Sequence, residues 1–146
     1  MADSTANQVR SCKTTHVFHP GNSLTYPAGA IHIYKGDLLM VLKGTGYAVL
    51  AANSALGQFI GVAEAECDNS GGSAGDLSVA VRKGIYKILK GTAAVTDIGV
   101  MATAVDSDTV ATGGTKNVAV GRIIGFVSTT HVWVDMYDLT PTSEAT

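Results

Sequence analysis

Residues 75–91 read GDLSVAVRKGIYKILKG. Leu77, Val79 and Val81 fall on one side of an extended chain, with Ser78 and Ala80 on the other, a period of two that predicts a strand. Gly84 interrupts it, and the apolar run Ile85–Leu89 then fits a second strand buried on both faces. Gly75, Gly84 and Gly91 delimit the pair. The stretch reads strand, turn, strand, and no apolar stripe at helical spacing competes with it.

The same pattern extends in both directions. Upstream, Ala30–Tyr34 alternates, with Ile31 and Ile33 on one face and His32 and Tyr34 on the other. Downstream, Val132, Val134 and Met136 oppose Trp133, Asp135 and Tyr137. The runs Leu38–Leu42, Phe59–Ala63 and Ile123–Val127 fit strands buried on both sides. Glycine recurs as punctuation, and the three prolines fall outside the predicted strands. An all-β barrel or sandwich of short strands is predicted, with at most one short helix near Asn53–Gln58.

Two internal echoes stand out. Gly36-Asp37-Leu38 and Gly75-Asp76-Leu77 each open a strand that closes on Lys-Gly. An Asp in this position can close a turn on its own backbone. The second echo is Ile-Gly before two apolar residues, at Ile60, Ile98 and Ile124. Glycine inside an apolar strand predicts a bulge or a close backbone approach.

The chain has 146 residues, enough for one domain that buries about two-thirds of its surface. Hydrophobic residues make up 46% and mean hydropathy is +0.23, which excludes a disordered chain. Charged residues are only 15%, against about 25% in ordinary soluble domains. The surface must be rich in Ser, Thr and Gly, or largely covered by partners. Net charge is −2 with no Lys/Arg cluster, which argues against nucleic-acid binding. The polar start has no signal-peptide core, and the apolar stretch 47–65 is too interrupted to span a membrane. Residues 1–20 read as an extended, mobile arm, 21–141 as the β domain and 142–146 as a polar tail. Cys12 and Cys67 match no metal or redox spacing and read as free thiols of a reducing cytoplasm.

Candidate chemistry is sparse. Gly71-Gly72-Ser73-Ala74-Gly75 satisfies G-x-S-x-G, but the apolar strand before it and the helix after it are both missing. A flexible loop is expected there. His16 and His19 could share a metal only on a helix, which Pro20 opposes. His32 and His131 read as satisfied strand residues. Asp106 and Asp108 flank a loop that fits a solvated turn better than a cation site. Glu64 and Glu66 read as a solvated strand face. No phosphate-binding glycine loop occurs. Trp133 with Tyr137 is the one candidate platform for a sugar or peptide. No catalytic, cofactor or metal site is expected.

The order of motifs resembles the small β-rich decoration (cement) proteins of tailed-bacteriophage heads. The resemblance spans about residues 17–137. It rests on Lys35-Gly36-Asp37-Leu38-Leu39, Ile60-Gly61-Val62-Ala63, the Gly-rich loop with Leu77-Ser78-Val79-Ala80-Val81, and Gly84-Ile85-Tyr86. Ala94-Val95-Thr96-Asp97-Ile98-Gly99, Val120–Val127 and the closing Val132–Met136 strand complete it. The family usually carries Gly where Asp97 stands. The resemblance implies a compact β-tulip or barrel-like domain, commonly a homotrimer, on the outer surface of the virion capsid. It implies binding to the major capsid protein after synthesis in the host cytoplasm. An N-terminal arm would reach across capsid subunits, and Val9, Arg10, Val17 and Phe18 are its expected contact residues. The alternative is a head- or tail-fibre module that binds host glycans.

Overall fold

The computed structural model describes residues 3–8, 23–113 and 118–139. The described strands are β1 (Ser23–Pro27), β2 (His32–Ile33), β3 (Leu38–Leu42), β4 (Ala48–Leu50), β5 (Gly57–Ala63) and β6 (Cys67–Asp68). They continue with β7 (Ser78–Arg82), β8 (Ile85–Lys90), β9 (Met101–Ala104), β10 (Thr109–Thr112), β11 (Ala119–Ser128) and β12 (His131–Asp135). Among the described residues, one 3₁₀ turn covers Val95–Asp97. The protein is all-β, as its alternation and turn spacing require.

The later strands close a five-stranded barrel in the order β10-β8-β12-β11-β9. Its ladders are antiparallel apart from the parallel β8–β10 pair. The earlier strands form the sheet β1-β7-β5-β3-β4, and β2 with β6 makes a small ribbon. Two cores result. Leu38, Met40, Phe59 and Val62 face one core, shared with Ile88, Val110, Ile123, Val132 and Val134. Leu39, Ile60, Val79 and Val81 face a second, with Ile33 and Cys67 from the ribbon. β3 and β5 therefore bury both faces, which is why their sequences are continuously apolar. Val132, Val134 and Met136 are fully buried, each such side chain stabilising the fold by about 1.5–3 kcal/mol.

Glycines shape the ladders at two points. At Gly61, where the β3–β5 register shifts, φ is +135° and an added Cβ would stand 2.7 Å from the Arg82 carbonyl oxygen. At Gly121 a Cβ would stand 2.3 Å from the Asp135 carbonyl oxygen, beside the shift in the β9–β11 register. The Gly-Asp echo is turn chemistry. The Asp37 carboxylate accepts the Tyr34 N–H at 2.9 Å, and Asp76 accepts the Ser73 N–H at 2.9 Å. A third copy joins Ala94 to Asp97, again at 2.9 Å.

Several details differ from the sequence reading. The helical turn lies at Val95–Asp97, whereas Asn53–Gln58 is a bend and a turn followed by the first two residues of β5. Pro27 ends β1, an edge strand, where its missing N–H costs no ladder bond. Leu77 precedes β7 and is exposed while Val79 and Val81 are buried. In the run Ile123–Val127 only Ile123 is buried. β11 leaves β9 at the Arg122–Met101 pair, so its second half has β12 on one side and a loop on the other.

Candidate interaction surfaces

Residues 3–8 lie along the domain rather than projecting from it. Asp3 Oδ1 accepts the Ser107 N–H at 2.9 Å, and Ser107 Oγ accepts the Ser4 N–H at 3.0 Å. Asn7 Oδ1 accepts the Lys35 N–H at 2.8 Å, and the Gln8 N–H donates to the Lys35 carbonyl at 2.6 Å. Gly36 lets this segment pass, because a Cβ there would meet Gln8 Cβ at 2.7 Å. Where the sequence reading has an extended arm, polar side chains and backbone bonds hold these six residues, which carry little apolar surface, against the domain. Val9, Arg10, Val17 and Phe18, the expected shell contacts, lie outside the described residues, as do Cys12, His16 and His19.

His32 organises a surface cluster. Its Nε2 stands 2.6 Å from Glu66 Oε2, its Nδ1 3.7 Å from Asp68 Oδ2, and its ring stacks on Tyr34 at 4.1 Å. The hydrogen bond from His32, then that from Asn7, hold the Glu66 carboxyl below its ordinary pKa. The Ser70 hydroxyl and N–H do the same for Asp68. Glu64 pairs with Arg82 Nε at 3.4 Å and accepts the Ser23 hydroxyl. Glu64 and Glu66 are solvent-accessible, as the sequence reading has them, but they are not on a strand face. They lie in the bend after β5, and each is engaged by a separate partner.

The remaining candidates resolve into structural roles. The two amide hydrogens of buried Asn69 serve the carbonyls of Ala28, Gly29 and Ser73, fixing the G-x-S-x-G loop in place. Ser73 itself donates its N–H to Asp76 in a turn. Asp106 accepts the Asp108 N–H at 2.8 Å, a local turn. Among the described residues, no group of three His, Cys, Asp or Glu is placed to hold a metal ion. Cys67 is a buried free thiol whose pKa is raised by burial and then by Asp68, the opposite of an activated nucleophile. Within the same residues no helix is long and apolar enough to cross a membrane. The Trp133 ring packs over Gly125, while the Tyr137 hydroxyl donates to the Lys83 carbonyl at 3.3 Å beyond the end of β12.

The sequence reading missed a surface on the barrel's flank. The loop after β8 runs beside the second half of β11, tied at its ends by Ala93 N–H to Thr129 O (2.8 Å) and Gly99 N–H to Ile123 O (2.8 Å). Val95, Ile98 and Val100 on the loop, and Ile124, Phe126 and Val127 on β11, are 37 to 62% exposed. Isolated exposed apolar residues are ordinary; six on two adjacent segments are not. The available signal was the nearly charge-free stretch GTAAVTDIGV (91–100) beside an apolar run longer than one face requires. Comparisons with protein-family models, curated proteins and solved structures return no match.

Proposed function

We propose that the protein is a structural capsid decoration (cement) protein, which binds the outer surface of an assembled phage head as a homo-oligomer and bridges major capsid protein subunits. The observation that carries this reading is where the motifs behind the resemblance fall. Lys35-Gly36-Asp37, the Gly-rich loop with Asp76, and Ala94–Asp97 are Asp-closed turns of an all-β domain, and the Ile-Gly segments lie at bulges or turns. A sparsely charged surface suits attachment through burial.

The test is add-back of the purified chain to undecorated phage heads. Saturable binding at a fixed ratio to the capsid protein is expected, with the decorated heads releasing DNA at a higher temperature than bare ones. Attachment through apolar burial should survive 1 M salt, where exposed charge pairs are screened beyond about 3 Å. Removal by moderate salt, or identical rupture temperatures, would overturn the reading. Saturable sugar binding without attachment to heads would favour the glycan-binding alternative.

A further inference from the structure

We propose that the flank built from residues 91–100 and 123–131 is the face on which copies of this chain associate, each packing against the same flank of a neighbour about a shared symmetry axis. The inference deepens the decoration reading, on which it rests only for the expectation that the working unit is an oligomer. Its first test is sedimentation of the free chain, so the two can fail separately.

The argument for a second copy begins with charge. The charged group on the loop, Asp97, is turned back onto Lys90 Nζ (3.2 Å) and the Ala94 N–H (2.9 Å). Within residues 123–131 the titratable group is His131 at the rim, with Nδ1 bonded to the Thr130 hydroxyl at 2.9 Å, and the neighbouring Arg122 is engaged by Asp138 (3.0 Å) and the Gly99 carbonyl (2.8 Å). The rest of the flank is Val, Ile, Phe, Ala, Thr, Ser and Gly. Two such faces meet without like-charge repulsion, whereas a charged partner would find nothing to pair with.

Size and rigidity agree. Eight of the ten residues 91–100 and five of the nine residues 123–131 are exposed. A standard interface takes about 20–30 residues from each side, so this flank supplies its apolar centre and part of its rim. The Lys90–Asp97 pair and the bonds at Ala93 and Gly99 hold the loop in place before any partner arrives, which lowers the ordering cost of association. The sequence adds a further reason. Ile123–Val127 has the composition of a strand buried on both faces, and the single chain buries only Ile123. A neighbouring copy would complete that burial.

Sedimentation velocity of the full chain from about 0.1 to 100 μM tests this. The wild type should be oligomeric over most of the range, with a thermal midpoint that rises with concentration. Ile124→Asp and Ile98→Asp should raise the dissociation constant at least 100-fold, because each places an unpaired carboxylate in a dry contact. Leu56→Asp, at an equally exposed apolar residue in the β4–β5 connection, should change it less than about twofold. Far-UV circular dichroism checks folding, and Ile124→Thr replaces any aspartate variant that unfolds, with a smaller shift in the same direction. A wild type that stays monomeric throughout, or a Leu56→Asp effect as large as that of Ile124→Asp, overturns the proposal. A monomer that attaches to undecorated heads, and loses attachment in Ile124→Asp, also overturns it and assigns the flank to the shell.

Discussion

Lys90 Nζ stands 3.2 Å from Asp97 Oδ2, and the two side chains keep only 10% and 16% of their surface in contact with solvent. The pair clamps the end of β8 to the 3₁₀ turn. Lys90 also donates to the Thr92 carbonyl, so one ammonium fixes both limbs of the loop. Lys90→Met should cost about 2–3 kcal/mol, because it leaves Asp97 and the Thr92 carbonyl short of a donor in a largely dry place. Asp97→Asn, which keeps an acceptor for the Ala94 N–H, should cost less. Urea midpoints of the two variants against the wild type check the order.

Acid should weaken the fold through identifiable carboxylates. The Ala94 N–H, and with it Lys90, holds the Asp97 carboxyl below its ordinary pKa against burial that pushes it up. Glu66 and Asp68 are lowered by His32 and Ser70 respectively. The unfolded chain takes up protons at these groups near the ordinary values of about 3.9–4.3, before the folded chain does. Their contribution is therefore complete above that range and is lost as pH falls through the lower folded values. Urea midpoints measured from pH 6 down to pH 2.5 should decline most steeply below pH 4. The gap between the wild type and Asp97→Asn should narrow over the same interval, and a constant gap would contradict this assignment.

Gly121→Ala should be among the most damaging single-methyl changes in the chain. The added Cβ would stand 2.3 Å from a carbonyl oxygen of β12, and backbone cannot swing aside as a side chain can. A loss of about 3 kcal/mol is expected. Gly91→Ala, with nothing within 4 Å of the added atom, should move the thermal midpoint by no more than a degree or two.

Much of this architecture is legible in the residues because it depends on local chemistry. Val132, Val134 and Met136 alternate with Trp133, Asp135 and Tyr137, and the two sets do face opposite ways. The continuous apolar runs of β3 and β5 signal two buried faces, and they have them. The same rule failed at Ile123–Val127, because composition reports a demand for burial and not what satisfies it. The docked N-terminal segment was illegible for a different reason. Asp3, Ser4, Asn7 and Gln8 dock through hydrogen bonds to Lys35, Glu66 and Ser107, with partners up to 104 positions away, and no periodicity announces such bonds. Asn69 carries no sequence signal either. Its role depends on three carbonyls that only the folded chain brings together.

Asn69→Ala should loosen the loop at 69–76 more than any change at Ser73. It removes the donor from the Ala28, Gly29 and Ser73 carbonyls and should cost about 2–4 kcal/mol, while Ser73→Ala leaves the backbone bonds intact. Limited proteolysis would register the difference as new cleavage within 69–76 in the Asn69 variant alone.

The position of β12 has a consequence for how the chain acquires its structure during synthesis. In the barrel this strand stands between β8 and β11, although residues 91–130 separate it from β8 along the chain. The sheet β1-β7-β5-β3-β4 has all its strands once Arg82 has left the ribosome. Its inner face, with Leu38, Met40 and Phe59, must then wait for Val132 and Val134. Closure joins segments distant in sequence, a topology that folds slowly because the loop entropy is lost before the contacts form. A nascent chain halted before residue 131 would hold a half-covered apolar sheet, the form in which it is most exposed to chaperones, proteases and its own unfinished neighbours.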